Sequence, residues 1–354
     1  MPEQKEFTVN QYTVGLVGCG PRGRTHLDAF LAYPDRYRVV GVCDLDAAKA
    51  RLLAESTKTG PTYTDAAKMM AETKPEILCF ATPPAVRTQL IELGIEHNVK
   101  GIAFEKPLAL TVREARRIHA MCSDAGVKAV VSHQMKYLTS MQHVHRITRS
   151  GDIGQVREIH ATTVPWMHQL GTHYMDLICW LAEWSRPRWA IGHVHGRDKL
   201  IDSHASPDYI FGQVAFENGI RAILECGYLA PHNISDEFSW VDNRVTVYGS
   251  HGYVWGETDG RWGVLSKSHP EPSVEQGETW QEQSEHSLQR SYVKELADWL
   301  DDDSAEHICS LDHAMAGLEA LHGIAFSALE NIRVDFPFDP KGKEVIEEMT
   351  RCLP

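Results

Sequence analysis

Three polar side chains interrupt an otherwise apolar stretch, MHQLGTHYMDLICWL, at residues 167–181. Gln169, His173 and Asp176 stand at positions i, i+4 and i+7, so on a helix they share one face. An imidazole close to an amide and a carboxylate can carry a proton in acid–base chemistry. A set of buried side chains satisfied by hydrogen bonds is the alternative, and the stretch by itself leaves both open.

A glycine-rich turn near the N-terminus, GLVGCGPRG, contains Gly18, Gly20 and Gly23 in the pattern G-x-G-x-x-G. The first glycine permits a tight turn, the second lets the backbone approach a pyrophosphate, and the third allows close packing of helix on strand. The motif follows an apolar strand and opens a helix, and it includes Pro21 and Arg22. This context predicts a dinucleotide-binding turn.

An acidic residue ends the next strand-like run, VVGVCD, 21 residues past Gly23. The carboxylate of Asp44 can accept hydrogen bonds from both ribose hydroxyls of NAD and repels a 2'-phosphate, so NAD is favoured over NADP. Asp46 adds a second negative charge, whereas Arg22 and Arg24 leave a smaller case for NADP.

The segment AFEKPLA places Glu105, Lys106 and Pro107 at the end of the fourth long strand-like run. Parallel sheets present side chains to a ligand crevice at this end of their strands. A lysine there can meet both a cofactor and a substrate hydroxyl, and burial would lower its pKa towards a useful range. The alternative is a turn that carries a solvated lysine, and Pro107 is a candidate for a cis peptide bond.

The periodicity predicts two domains. From residue 11 to about residue 132, short β-rich runs alternate with helical patterns, which is typical of a parallel, doubly wound α/β sheet of the Rossmann type. From there strand follows strand, which predicts an α+β domain with an open, mostly antiparallel mixed sheet. We place the domains at residues 1–132 and 133–354, and interpret residues 271–287 as a surface loop and residues 336–354 as a short tail.

The composition excludes several classes of partner. A formal charge of -13 without a basic stripe argues against nucleic acid and anionic membranes. We find no run of about 18 apolar residues and no apolar leader, so we expect a cytoplasmic protein. The 19 histidines form no HExxH pair and the cysteines no CxxC pair, so we expect no metal site.

Several ordered motifs carry a resemblance to a known family. GLVGCGPRGRTH, the ATPP turn at residues 81–84, FEKPLA, GDIGQV at residues 151–156 and GTHYMD at residues 171–176 resemble the glucose-fructose oxidoreductase / inositol dehydrogenase family (Gfo/Idh/MocA) over nearly the whole chain. The resemblance implies NAD(P)-linked chemistry on sugars or cyclitols, a C-terminal sheet that often forms an oligomer interface, and a homodimer or homotetramer. It also assigns Thr82, Pro83 and Glu105 to cofactor binding.

The same resemblance assigns catalytic roles. Lys106 matches the lysine of the family's EKP motif and His173 its catalytic histidine, but Gln169 stands where the family usually has aspartate. An amide cannot accept a proton, although it can hold a substrate hydroxyl or orient an imidazole. We therefore expect His173 to carry the proton, Lys106 to supply positive charge, and Asp176 to bind substrate hydroxyls or tune His173.

Four further residues keep two interpretations each. Lys136 and Tyr137 occupy a segment that lines the substrate pocket in the family, although ordinary packing explains them equally well. Trp166 could form a wall against a sugar, but a core position is commoner for tryptophan. Arg87 stands where relatives often have histidine, and a surface role and a cofactor role are equally compatible with the sequence.

We therefore expect an NAD-dependent oxidoreductase that acts on a secondary hydroxyl of a sugar, sugar derivative or cyclitol. One alternative is an NAD-dependent glycoside hydrolase that uses transient oxidation, elimination, water addition and re-reduction. Another is a non-catalytic NAD-binding regulator. The identity of the substrate depends on loop side chains that no motif fixes.

Overall fold

The computed structural model describes residues 10–234, 239–340, 342 and 344–353. The chain divides into two compact units. The first unit comprises the chain up to Glu105 together with Ala120–Ser132 and Gln289–Ser310. The second unit comprises Lys106–His119, His133–Leu288 and the chain from Leu311 onwards.

Strands and helices follow one another along the described chain. The strands are β1 (Tyr12–Val17), β2 (Tyr37–Cys43), β3 (Thr62–Tyr63), β4 (Ile77–Phe80), β5 (Gly101–Phe104), β6 (Lys128–Val131), β7 (Val156–Thr163), β8 (Pro187–His195), β9 (Tyr209–Phe216), β10 (Arg221–Gly227), β11 (Asn243–Gly249), β12 (Tyr253–Glu257), β13 (Arg261–Leu265), β14 (Ser273–Gln276) and β15 (Val334–Asp335). The α-helices are α1 (Pro21–Leu31), α2 (Ala47–Thr57), α3 (Ala66–Thr73), α4 (Arg87–Glu96), α5 (Val112–Ala125), α6 (Thr139–Ser150), α7 (Thr172–Leu181), α8 (Trp280–His286), α9 (Leu288–Asp301), α10 (Leu311–Glu330) and α11 (Val345–Cys352).

The sheet of the first unit confirms the predicted Rossmann fold. Its six strands are all parallel, in the order β3-β2-β1-β4-β5-β6. Every residue of β4 and β5 is buried, as expected for central parallel strands that helices cover on both faces. The carboxyl ends of β1, β2, β4 and β5 therefore deliver the glycine turn, Asp44, the ATPP turn and Glu105 to one edge of the sheet.

The helical segment from Gln289 belongs to the first unit, although the sequence prediction places it in the second domain. The hydroxyl of Tyr37 donates to the carbonyl oxygen of Val293 at 2.5 Å. The hydroxyl of Tyr292 donates to the carbonyl oxygen of Val130 at 2.8 Å. Both phenol rings are buried, so these bonds tie α9 to strands β2 and β6 over a long sequence separation.

The second unit contains the predicted mixed, mostly antiparallel sheet. Its nine strands lie in the order β14-β13-β12-β11-β7-β10-β9-β8-β15. Strands β7 and β10 pair in parallel, and the remaining described pairs are antiparallel. Alternate residues of the central strands are buried in one core with α7 and α10, as the two-residue period of a half-covered sheet requires.

Two facing glycines let α10 lie directly on this sheet. Gly192 on β8 and Gly212 on β9 are cross-strand partners. A Cβ atom on Gly192 would lie 2.2 Å from the carbonyl oxygen of Ile324, and one on Gly212 would lie 2.3 Å from the Ile324 Cγ2 atom. Ile324 on α10 therefore occupies the space that side chains at these two positions would need, with its backbone at Gly192 and its side chain at Gly212.

Two segments differ from the sequence prediction. Residues 271–287, predicted as a surface loop, contain β14 and helix α8. Helix α8 begins with a capping box in which Thr279 and Glu282 satisfy each other's backbone amides. The predicted tail contains α11, whose Val345 and Met349 are buried in the core of the second unit. Short polar segments with few apolar residues gave too weak a periodicity to reveal either element.

None of the helices in the described ranges is both long enough and apolar enough to cross a membrane.

Replacing Gly192 with alanine should lower the free energy of unfolding by about 2–3 kcal/mol, because the new methyl group would force α10 away from the sheet. Urea denaturation of Gly192→Ala and wild type measures the difference. Gly277→Ala is the matched control, since its nearest neighbour would be at an ordinary 3.4 Å. Equal loss in both variants would show that close approach at Gly192 is not the cause.

Candidate active site

The glycine turn between β1 and α1 has the geometry that a pyrophosphate site needs. Gly18 has a φ of 93°, and a Cβ atom there would lie 2.6 Å from the carbonyl oxygen of Ala81. A Cβ atom on Gly23 would lie 1.8 Å from the carbonyl oxygen of Gly18, whereas one on Gly20 would have no neighbour within 4 Å. The first and third glycines are thus fixed by packing, and the second leaves open space where the backbone can approach a ligand.

The ATPP turn after β4 lies beside this loop. The side-chain oxygen of Thr82 is buried and has no hydrogen-bond partner within the described ranges. Pro83 is exposed, and the amide of Ala81 donates to the carbonyl oxygen of Val17 at 2.9 Å. A buried hydroxyl without a partner is expensive unless a ligand or water satisfies it, so Thr82 fits a cofactor contact.

Asp44 is held rigidly at the end of β2. Its Oδ2 atom accepts from the amide of Cys19 at 2.7 Å, and its Oδ1 atom accepts from the amide of Asp46 at 2.9 Å. Asp46 itself caps α2 by accepting from the amides of Ala48 and Lys49. One carboxylate is therefore fixed against the glycine turn, and the other stabilises a helix.

The two arginines of the glycine turn are both engaged within the first unit. Arg22 pairs with Glu105 at 2.6 Å, and Arg24 pairs with Asp28 at 2.6 Å. Arg87 is 1% exposed and lies over the ring of Phe104 at 5.4 Å, so a surface role for Arg87 is excluded. Pro21 provides the first residue of α1, where its missing amide proton costs nothing.

In the second unit, Lys106 contacts the segment Met167–Gly171, which leads into α7, the helix that carries His173. Its Nζ atom donates to the carbonyl oxygen of Gln169 at 2.8 Å and to the Gln169 Oε1 atom at 3.2 Å. Lys106 is half-buried, and the Lys106–Pro107 peptide bond is cis as anticipated. Lys106 and Gln169, which are 63 residues apart in the sequence, therefore contact each other directly.

The helix predicted at residues 167–181 is regular only from Thr172. Residues Met167–Gly171 form a π-helical turn, in which the amide of Gly171 reaches back to the carbonyl oxygen of Trp166. Such wide turns are frequent at functional sites because they redirect side chains and carbonyl groups. Gln169 lies in the middle of this turn and meets Lys106 there.

His173 lies in the first turn of α7 against a second imidazole that the sequence analysis missed. The rings of His133 and His173 meet edge to face, with centroids 5.1 Å apart, and both residues are buried. His133 follows the last strand of the predicted Rossmann sheet by two residues, a position from which such sheets present functional groups. This position after a strand was the sequence feature that could have identified His133 as a candidate.

Asp176 and Lys136 form an ion pair behind these imidazoles. The Lys136 Nζ atom lies 2.6 Å from Asp176 Oδ2, and the His133 Nδ1 atom lies 3.3 Å from Asp176 Oδ1. Burial by itself would raise the pKa of Asp176, but the charges of Lys136 and His133 lower it below its ordinary value. Both members of the pair are essentially inaccessible, so Asp176 holds its neighbours in place from within the unit.

The two aromatic candidates lie in different settings. The indole of Trp166 directly precedes the π turn, with the Lys199 Nζ atom 4.6 Å from its ring centroid. The Trp166 Nε1 atom is buried, and none of the described residues accepts its hydrogen bond. Tyr137 is half-buried and packs against the core of the second unit. Trp166 thus retains an unsatisfied donor beside the candidate site, whereas Tyr137 contributes packing.

Comparisons with known proteins assign the family. The model of the GFO/IDH/MocA oxidoreductase family with an NAD-binding Rossmann fold matches residues 12–133, and the model of the GFO/IDH/MocA C-terminal domain matches residues 141–255. The chain belongs to the GFO/IDH/MocA family.

Individual relatives are distant. A D-apiose dehydrogenase of Paraburkholderia graminis is 28% identical over 242 residues, which is 62% of this chain and 62% of the relative, so the match spans under two thirds of that protein. A 2,7-anhydro-N-acetylneuraminate hydratase of Mediterraneibacter gnavus is 22% identical over 68% of this chain and 67% of its own.

Solved structures share the fold. The crystal structure of an oxidoreductase from Agrobacterium radiobacter, in complex with NAD+, L-tartaric acid and magnesium, superposes with a TM-score of 0.79. It is 16% identical and covers 92% of this chain and 98% of its own, and at this identity the likeness concerns the fold alone. Within the described part of this chain, we find no group of three His, Cys, Asp or Glu side chains arranged to hold a metal ion.

A buried histidine pair anchors the π turn of this GFO/IDH/MocA chain. The Nδ1 atom of His168 lies 2.6 Å from the carbonyl oxygen of Ala205, and its Nε2 atom lies 3.1 Å from the Nε2 atom of His322. A carbonyl oxygen only accepts, so Nδ1 carries the proton of His168 and Nε2 accepts from His322. The residue before Gln169 is thereby locked to α10 and to the connection between β8 and β9.

Burial gives this pair a defined pH response. It lowers the pKa of His168 from its ordinary value of 6.5 to about 4 and also lowers the pKa of His322. Both groups therefore stay neutral in the folded chain at pH values where the unfolded chain binds protons. Since protonation favours the unfolded state, stability falls as the pH decreases below about 6.5 towards the folded-state pKa.

We expect His168 alone to contribute a loss of about 2 kcal/mol in the free energy of unfolding between pH 7.5 and pH 5. His322→Gln keeps a donor for His168 but removes one buried titrating group, so its loss over this interval should be smaller than that of wild type. Urea denaturation at both pH values measures it, with the exposed His193→Gln as control. Equal pH dependence in His322→Gln and wild type would contradict the assignment.

Proposed function

We propose that the chain is an NAD-dependent oxidoreductase that transfers a hydride between the nicotinamide and a secondary hydroxyl of a sugar, sugar derivative or cyclitol. The contact of Lys106 with Gln169, on the segment that leads into His173, carries this proposal. Membership of an NAD-binding oxidoreductase family supports it, and so does the D-apiose dehydrogenase among the relatives.

The dinucleotide fits the residues of the first unit. Gly18, Gly20 and Gly23 would receive the pyrophosphate, Thr82 would donate its unsatisfied hydroxyl, and Asp44 would hold the adenosine ribose. When bound, the dinucleotide supplies the acceptor or donor of the hydride.

Lys106 and His173 divide the remaining chemistry. In the oxidative direction the substrate carbon loses its hydride and the hydroxyl loses its proton, so an oxygen with developing negative charge must be stabilised. Lys106 supplies a positive charge and donors for that oxygen, and Gln169 holds the ammonium through two oxygen atoms. His173 takes the proton, because the amide of Gln169 cannot.

The fixed carboxylate of Asp44 favours NAD over NADP. Both of its oxygens are oriented by backbone amides, so it accepts from ribose hydroxyls without reorganising. A 2'-phosphate would bring at least one more negative charge against it. The engagement of Arg22 with Glu105 and of Arg24 with Asp28 and Ser56 weakens the case for a phosphate-binding arginine.

We further propose a cytoplasmic homodimer or homotetramer with a small carbohydrate or cyclitol as its substrate. The family resemblance supports the oligomer. All eight cysteines are free thiols and seven of them are buried, which suits a reducing compartment.

A redox-neutral glycoside hydrolase is the second candidate. The amide at Gln169 changes proton handling at the site, and a hydratase is among the relatives. In such a reaction, oxidation of a ring hydroxyl acidifies the neighbouring C–H bond, elimination releases the aglycone, water adds, and the ketone is reduced again.

Removing Lys106 or His173 should abolish turnover without removing the cofactor. We expect Lys106→Met and His173→Asn each to lower kcat at least about 100-fold, because each loses a group that acts in the transition state. The Kd of NADH should stay within about threefold, since neither side chain is among those proposed to hold the pyrophosphate or the adenosine ribose. Steady-state formation of NADH over a panel of sugars and cyclitols measures kcat, and fluorescence titration measures binding.

Lys68→Met and His193→Gln are matched surface controls and should behave as wild type. Aryl glycosides with catalytic NAD separate the two candidates: aglycone release without net NADH supports hydrolysis, and NADH formation from a free polyol or sugar supports the dehydrogenase. Full activity in both Lys106→Met and His173→Asn would refute the assigned roles, and tight NADH binding without turnover of any substrate would favour a regulator.

Cofactor preference should depend on Asp44. Wild type should bind NAD at least about tenfold more tightly than NADP, and Asp44→Ala should narrow this ratio because it removes both the ribose acceptor and the repelling charge. Isothermal titration with each dinucleotide measures the ratio. Asp65→Asn is the control, because Asp65 caps α3. A ratio that is unchanged in Asp44→Ala would place the discrimination elsewhere.

A further inference from the structure

A network of hydrogen-bond donors surrounds the buried carboxylate of Glu105 in the first unit. The Nε and Nη2 atoms of Arg22 lie 3.0 and 2.6 Å from Glu105 Oε1, and the Nε2 atom of His26 lies 2.9 Å from the same oxygen. Glu105 is 8% exposed and His26 is fully buried. Three donors therefore converge on one carboxylate oxygen, which is the arrangement that a buried negative charge needs.

Gln289 and Ser132, the remaining members of this network, fix the tautomer of His26. The Nε2 atom of Gln289 lies 3.0 Å from His26 Nδ1 and 3.2 Å from the hydroxyl of Ser132. An amide nitrogen only donates, so Nδ1 of His26 accepts and its Nε2 atom carries the proton that is donated to Glu105. Gln289 and Ser132 are both almost inaccessible, so the tautomer is set from inside the unit.

The network joins four elements at the cofactor edge of the Rossmann sheet. Arg22 and His26 are four residues apart on α1 and therefore share a face. Glu105 follows β5, Ser132 follows β6, and Gln289 lies on α9. Asp44, which follows β2, is proposed to hold the adenosine ribose, so the half formed by β4, β5 and β6 would take the nicotinamide side of the dinucleotide. Glu105 thus stands in the half where ribose hydroxyls and a carboxamide would need an acceptor.

We propose that Arg22 and His26 are positioning residues that act on dinucleotide binding through Glu105, holding its carboxylate as a fixed acceptor for the nicotinamide half, and that Arg22 is not a ligand of the phosphates. The inference rests on the proposed dinucleotide site. It gives the arginine inside the glycine motif a role different from the direct cofactor contact that the motif suggests.

A double-mutant cycle on the full chain tests this inference. Arg22→Met and Glu105→Gln should each weaken NADH binding about tenfold, because each removes a charge-assisted hydrogen bond from one shared arrangement. The double variant should be no weaker than either single variant, since both act through the same group. ADP, which lacks the nicotinamide half, should bind every variant within about twofold of wild type.

Arg51→Met is the matched control, because Arg51 is an exposed arginine that pairs with Glu55. Additive losses in the double variant would show that Arg22 does not act through Glu105. An equal loss for ADP would show that Arg22 contacts the phosphates. If Arg22→Met and Glu105→Gln bind NADH as wild type does but have a lower melting temperature, the network stabilises the fold only and the inference is wrong. If Arg22→Met fails to fold, Arg22→Lys and His26→Gln are measured in its place. Each should again show a non-additive loss with Glu105→Gln and unchanged binding of ADP.

These measurements need no substrate, so they separate this inference from the proposed reaction. If the double-mutant cycle gives the predicted result but the chain oxidises no sugar or cyclitol, the positioning role of Arg22 and His26 is supported and the proposed dehydrogenase activity is refuted. A wild-type chain that binds no NADH overturns both.

Discussion

The contact between Lys106 and Gln169 is the interaction on which the candidate site depends. An ammonium group that is half-buried needs oxygen acceptors, and the π turn supplies two of them from a single residue. The wide turn is in turn held by His168, whose backbone amide and ring bond to Ser206 and Ala205. The position of the cation therefore follows from a local distortion of the helix that is fixed from behind by neutral, buried groups.

Buried charges impose the second constraint. Glu105 in the first unit and Asp176 in the second are each almost inaccessible, and each is surrounded by an arginine or lysine together with a histidine. Removing one partner from such a group leaves an uncompensated charge, so these clusters tolerate little movement. Each cluster therefore holds its own side chains in fixed positions within its unit.

Much of the fold could be predicted from the sequence because the relevant signals are local. Alternation of apolar strands and amphipathic helices predicted the Rossmann sheet, and the glycine spacing predicted the turn whose Gly18 has a positive φ. The candidate residues Lys106, Gln169 and His173 were found by motif. The role of Gln169 as a holder of Lys106 was not, because no local pattern records which side chain a lysine 63 residues away will meet.

The sequence by itself determined the class of each domain, the dinucleotide turn and the family, since period, turn chemistry and spacing are properties of short segments. Only the tertiary structure decided the partners: His133 against His173, Lys136 on Asp176, and Gln289 behind His26. These pairs join residues far apart in sequence, and which polar groups meet is set by the strand order and by the requirement that every buried charge find a counterpart. Long-range packing therefore decided which of these side chains contact one another.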